Sequence, residues 1–135
     1  MDKNSKKNEI AVFGATGLIG SILIKYLKQF SKFKKINLVL RSPVDLKGEN
    51  VKIHKIDLFK KSEILHSLNT SKVVFVAIGT TMSKVKGEKD KYRRIDFGIT
   101  KDIADSCKEL GVDKLILVSS SGADFKSKSF YLKLK

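Results

Sequence analysis

The chain has 135 residues, a length that fits one domain, and its 41% apolar and 31% charged residues strike a globular balance. A single cysteine, Cys107, excludes an internal disulfide and fits a reducing cytoplasm, and no run reaches the roughly 18 apolar residues of a membrane-spanning helix. The formal net charge of +14 raises the question of nucleic acid, but 25 of the basic residues are lysines scattered along the chain, with only three arginines and no interleaved aromatic platform, so a solvated lysine surface is the expectation.

In chain order, residues 1–8 are polar and are expected to be a disordered lead-in, a poor signal peptide, to a single domain over 9–135. Ile10–Phe13 is a short apolar run ended by Gly14 and predicts a buried strand. From Gly17 the period changes to that of a helix, with Ile19, Ile22, Leu23, Tyr26, Leu27 and Phe30 as its apolar face. Ile36–Leu40 predicts a second strand closed by Arg41, Ser42 and Pro43, and Val51–Ile56 a third that ends at Asp57 and Leu58. A short helix over 60–69 precedes Val73–Ile78, the most apolar strand, which ends at Gly79. A polar loop over 80–88 leads to a helix over 90–110, where Ile95, Ile99, Ile103 and Leu110 keep helical spacing and Gly111 takes the C-cap place. Leu115–Val118 is the fifth strand, and serines follow it.

Near-continuous apolar strands alternating with helices predict an α/β fold: a Rossmann-type doubly wound parallel sheet of about five strands in a three-layer αβα arrangement. The loop Gly14-Ala15-Thr16-Gly17-Leu18-Ile19-Gly20 then falls between the first strand and the first helix. Glycines at that turn admit a pyrophosphate, and the N–H groups and positive dipole of the helix face it. The spacing is GxxGxxG, and its place between strand and helix makes it a dinucleotide site. The second strand ends in Arg41-Ser42 with no acid, which points to the 2′-phosphate of NADP rather than to NAD. Asp57, with Leu58 beside it, is placed either at the adenine or in a turn. Lys84 lies in the loop after the fourth strand, within reach of phosphate but expected to be solvated.

The ordered set FGATGLIG, AIGTT with Lys84 nearby, Tyr92-Arg-Arg-Ile-Asp-Phe97, LVSSSGAD and FYLKLK resembles the short-chain dehydrogenase/reductase superfamily. Within it, the chain is most similar to the extended or atypical NAD(P)-binding branch of epimerase-like, NmrA-like and Tat-interacting-protein oxidoreductase-like proteins. The resemblance implies that Gly14, Gly17 and Gly20 hold the pyrophosphate. It also implies that Ala77, Ile78 and Gly79 pass beneath the cofactor, that Thr80 and Thr81 line it, and that a serine, a tyrosine and a lysine four residues later are catalytic. Here those are Ser120, Tyr131 and Lys135, Ser120 being preferred over Ser119 and Ser121 as the second residue past the strand.

A phenol with an ordinary pKa of about 10 becomes a usable proton donor when a lysine ammonium stands near it, and positions i and i+4 of a helix share a face. Members of the superfamily run on well past this lysine, so the resemblance implies a chain truncated after YxxxK, with the C-terminal part missing. A helix starting near Ser129 would have about seven residues, too short to persist without packing. Two functions stay open. One is an oxidoreductase acting on an unknown carbonyl or alcohol, whole or as an inactive truncated form. The other is an NADP(H)-sensing module without turnover. A cytoplasmic chain is expected, with neither a specific nucleic-acid partner nor a membrane, and its oligomeric state is left open.

Overall fold

The structure is a computed structural model and describes residues 8–29, 33–42, 44–46, 48–68, 71–79 and 83–135. Most of the expected lead-in, Phe30, and Thr80 and Thr81 of the expected site lie outside the described residues. The strands are β1 (Glu9–Phe13), β2 (Lys35–Leu40), β3 (Val51–Lys55), β4 (Val73–Val76) and β5 (Lys114–Leu117). They form one all-parallel sheet in the order β3-β2-β1-β4-β5. The chain therefore runs outward through β1, β2 and β3 and returns to the other side of β1, and this reversal opens a crevice beyond the strand ends.

Alternation along β1 separates the layers. Ile10 and Val12 join Ile24 and Leu27 of α1 (Leu18–Gln29), with Ile36 and Leu38 of β2, on one face. Ala11 and Phe13 join Ile64 of α2 (Lys61–Ser67) and Ile103 and Cys107 of α4 (Thr100–Leu110) on the other. Burial pushes the Cys107 thiol up to about 11, so it is a protonated packing group. Asn37, buried in β2, is satisfied on both sides: its amide donates to Ile10 O at 3.2 Å, and His54 Nε2 donates to its Oδ1 at 2.8 Å. Burial and the positive charge of Lys52 hold the His54 pKa below its ordinary value.

The face expected of the first helix is corrected. Gly20, Ile24 and Leu27 turn inward, with Leu23 half-buried, whereas Ile19, Ile22 and Tyr26 are exposed. Nearly every second residue of α1 is apolar, so the periodicity admits two faces. Close approach at Gly20 selects the one that contains it. The fifth strand lies where expected, and Leu115, Ile116, Leu117 and Val118 are 37–46% exposed because β5 is the edge of the sheet among the described residues.

The long helix expected over 90–110 is three pieces. These are α3 (Lys89–Arg93), a π-helical segment (Arg94–Ile99) and α4, which ends at Gly111 in the left-handed conformation with φ 68°. The short C-terminal helix α5 (Phe130–Leu134) begins at the N-cap Ser129, whose Oγ accepts from Leu132 N at 3.5 Å. Its packing comes from α3 and the π segment: Phe130 meets the Tyr92 ring at 5.7 Å, and Lys135 pairs with Asp96.

Candidate functional site: a cleft at the ends of four strands

Gly14 leaves β1 with φ +85°, and a Cβ on it would stand 2.4 Å from Ala77 O. Both the left-handed turn and the contact with the end of β4 therefore demand glycine. A Cβ on Gly20 would fall 1.8 Å from Gly14 O, so α1 can leave the turn at this angle only with glycine there. Gly17 is different. Its φ is ordinary, and an added Cβ would meet only Gly14 O, at 3.5 Å.

These turns border a cleft of about 280 Å³ at the carboxyl ends of β1, β2 and β4 and the loop after β3. Gly14, Thr16 and Gly17 form one wall, Arg41 another, Asp57 and Leu58 a third, and Ala77, Ile78 and Gly79 the floor under β4. All nine were read from the sequence. Ala15 is buried beneath the turn, and Gly20 is buried at its packing contact. Leu18 and Ile19 stand exposed on the first turn of α1, outside the cleft wall, and Ser42 is exposed next to Arg41. Thr80 lies outside the described residues. The first-turn N–H groups of α1 have no intrahelical acceptors, and no acidic side chain in that turn competes for its positive end.

Asp57 takes the turn role: its Oδ1 accepts from Phe59 N at 2.9 Å, while its own N–H donates to the Glu63 carboxylate. It lines the cleft as well. Sequence reasoning missed Phe59 on the same wall, where the Arg94 guanidinium covers its ring at 4.7 Å. Lys84, expected in a solvated loop, is also on the wall.

Of the three catalytic candidates, Lys135 stands beside Gly79. Tyr131 and Lys135 share one face of α5, with Lys135 Nζ 5.3 Å from the centre of the Tyr131 ring, and Tyr131 is 43% exposed. A Cβ on Gly79 would lie 3.7 Å from Lys135 Nζ. Lys135 Nζ is 3.1 Å from Asp96 Oδ2, and Tyr92 hydrogen-bonds the same carboxylate. Burial, followed by the Asp96 charge and hydrogen bond, pushes the Tyr92 phenol up to about 12, so Tyr92 is a protonated donor to Asp96. Ser120 Oγ donates to Ser121 O at 3.3 Å and Ser119 Oγ to the Lys135 main-chain oxygen at 3.1 Å. A second cleft of about 210 Å³ opens on the far side of Ile78, between Phe97, Leu117, Leu134 and the Asp96–Lys135 pair.

A family model described as NAD(P)H-binding matches residues 14–134. Protein FMP52, mitochondrial, of Debaryomyces hansenii is 34% identical over 125 residues, which are 92% of this chain and 55% of that protein. Uronate dehydrogenase from Agrobacterium tumefaciens, solved as a mutant complexed with NAD, superposes with a TM-score of 0.71 at 17% identity. The match covers 86% of this chain and 42% of that one. UDP-glucose 4-epimerase from Thermotoga maritima superposes with a TM-score of 0.73 at 18% identity, over 90% of this chain and 40% of its own. The chain thus spans about half the length of the curated relatives it matches.

The expectation of a cytoplasmic chain is overturned. The FMP52 proteins of D. hansenii, Candida albicans and Saccharomyces cerevisiae all carry mitochondrial in their names. A single free thiol reads only the redox character of the surroundings, and several compartments share it. Among the described residues no helix is long and apolar enough to cross a membrane. The matched span takes in the glycine turn, all the cleft walls and the Tyr131 helix, on a five-stranded parallel sheet with an epimerase-like neighbour. The chain belongs to the NAD(P)H-binding family.

Proposed function

We propose that this chain binds NADP(H) in the cleft and belongs to an oxidoreductase in which Ser120, Tyr131 and Lys135 serve hydride transfer on a carbonyl or alcohol. Gly17 carries the reading. The fold demands glycine at Gly14 and Gly20, but neither backbone conformation nor packing demands it at Gly17. A glycine that the protein does not need, on a cleft wall at the start of a helix, matches a ligand that needs the space, and a pyrophosphate fits that cradle.

The remaining walls support the same ligand. The floor at Ala77–Gly79 is open backbone suited to a flat ring and its ribose. Arg41 closes the β2 end, and Lys84 adds a second cation to the cleft wall. A cation and no acid at the end of β2 favour a 2′-phosphate over a free ribose hydroxyl.

When bound, the nicotinamide gives or accepts a hydride. The chain's own residues handle the proton. The Tyr131 phenol oxygen donates it to the substrate oxygen, the Lys135 ammonium beside the ring stabilises the phenolate left behind, and the Ser120 hydroxyl turns from Ser121 O to hold the substrate oxygen. The mitochondrial names of the relatives support a mitochondrial location for this chain.

Arg41 is exposed and takes no part in the core, so Arg41→Ala is expected to fold normally. Fluorescence titration should show NADPH affinity falling about tenfold or more, the range of one charge-assisted phosphate contact, with NADH affinity nearly unchanged. Equal loss of both, or of neither, contradicts the NADP assignment.

A further inference from the structure

We propose, on the cofactor reading above, that Phe59 is the surface on which the purine base of the dinucleotide stacks, with the Arg94 guanidinium fixing its ring from behind. The base is then recognised by a ring face and not by a hydrogen bond to Asp57.

Single aromatic side chains open to water are common on protein surfaces. Phe59 differs from them in place and in restraint. It is 44% exposed and lines the dinucleotide cleft. Its N–H donates to Asp57 Oδ1 at 2.9 Å, and its carbonyl oxygen accepts from Arg94 Nη2 at 3.4 Å. Asp57 is held in turn, its own N–H donating to the Glu63 carboxylate. Arg94 reaches Phe59 from the π segment, 35 positions away in sequence, and its guanidinium carbon stands 4.7 Å from the centre of the ring. That contact is attractive, and it restricts both side chains before a ligand arrives. It also ties together two walls of the cleft, since Leu58 and Phe59 line it from the loop, and Ile95 and Ile99 from the π segment.

The connectivity of the dinucleotide brings a base to this loop. Arg41 follows β2 and takes the 2′-phosphate of the adenosine ribose. Strand β3 is the next in the sheet, about 4.8 Å away, and Phe59 lies in the loop after it. The base on that ribose therefore falls beside Phe59. The acid nearby has its Oδ1 committed to Phe59 N, so the wall presents an apolar ring with a cation behind it. Such a face accepts any purine. Arg94 touches no part of the ligand in this assignment. It is a positioning residue that acts through Phe59.

The test uses the 135-residue chain. The chain has no tryptophan, so Phe59→Trp places a single indole on the wall. Adenosine 2′,5′-bisphosphate, which carries the adenine half of NADP without the nicotinamide, should quench the indole fluorescence saturably, and inorganic pyrophosphate should not. Phe59→Ala should weaken NADPH binding about tenfold or more, the range of one lost base–aromatic stack, while Phe59→Tyr should bind like wild type. Arg94→Ala should weaken binding several-fold and add nothing in the Phe59→Ala background. Arg94→Lys, which keeps a cation over the ring, should recover most of that loss. The hypoxanthine analogue of NADPH, which lacks the adenine amino group, should bind within about threefold of NADPH, because a stack does not read that group.

Wild-type binding of NADPH by Phe59→Ala, with no quenching in Phe59→Trp, would overturn the proposal and leave the cofactor reading intact. A preference of about tenfold or more for NADPH over its hypoxanthine analogue would overturn it too, since the wall would then read the base by a hydrogen bond. An Arg94→Ala loss that persists in full in the Phe59→Ala background would defeat the positioning role. A wild-type chain that binds neither NADPH nor NADH would defeat the cofactor reading and the stack together, so the wild-type titration tells the two failures apart.

Discussion

Alanine at Gly17 is expected to leave the fold intact and to weaken dinucleotide binding by about a hundredfold or more, a loss near 3 kcal/mol. The folded chain tolerates the methyl group because its nearest neighbour would be Gly14 O at 3.5 Å, an ordinary contact, and because the backbone already has ordinary φ. Alanine also restricts the unfolded chain, so the melting temperature should hold or rise slightly. The ligand does not tolerate it. The methyl group would occupy the wall against which a diphosphate approaches the first-turn N–H groups of α1, and those groups stabilise an anion only at hydrogen-bond distance. Calorimetric titration and a thermal melt on the same sample separate the two effects. A Gly17→Ala chain that binds NADPH like wild type would show that the glycine has no ligand role.

Three residues further on, the same substitution should have the opposite outcome. Gly20→Ala is expected to destabilise the fold by about 3 kcal/mol or more, out of the 5–15 kcal/mol typical of a domain. Its Cβ would stand 1.8 Å from Gly14 O and 2.6 Å from Gly14 C, both backbone atoms that cannot rotate aside. Gly14 cannot retreat either, because its φ of +85° and its contact with Ala77 O fix it from the other side. Helix α1 must then lift from the sheet and expose part of Ile24 and Leu27, whose full burial is worth about 1.5–3 kcal/mol each. Urea denaturation measures the change. A loss below about 1 kcal/mol would mean that the turn gives way more easily than its geometry implies.

Such opposed effects within one GxxGxxG motif explain how much of this protein can be read from its residues. The strand ends and the glycine turn were legible because apolar runs, a change of period and glycines occur within a few residues of one another. A parallel sheet then brings the ends of β1, β2 and β4 together with no further information, and nine cleft residues follow. Choices between alternatives of equal local quality were not legible. The series Ile19, Ile22, Tyr26 and the series Gly20, Ile24, Leu27 both fit a helical face, and only the contact with Gly14 decides between them. Leu115–Val118 reads as an apolar strand, and its exposure depends on what covers a sheet edge, which the strand's own letters do not state.

In the site, Phe59 was hidden for a similar reason, since a loop aromatic carries no spacing signal, and Lys84, one lysine among 25, could be read either toward phosphate or toward solvent. Asp96 stood 39 positions from the lysine it holds. Its signal was an acid at a core position, between Tyr92 and Ile99, and the π segment that turns it toward Lys135 has no signature of its own.

The most direct measurement is amide chemical-shift mapping of the isotope-labelled chain during NADPH titration. The account predicts saturable, one-to-one shifts concentrated at Gly14, Thr16, Gly17, Arg41, Asp57 and Ala77–Gly79, with the outer face of α1 at Ile22 and Tyr26 silent. No shifts at millimolar NADPH or NADH, or shifts scattered over the lysine surface and weakening with salt, would contradict it.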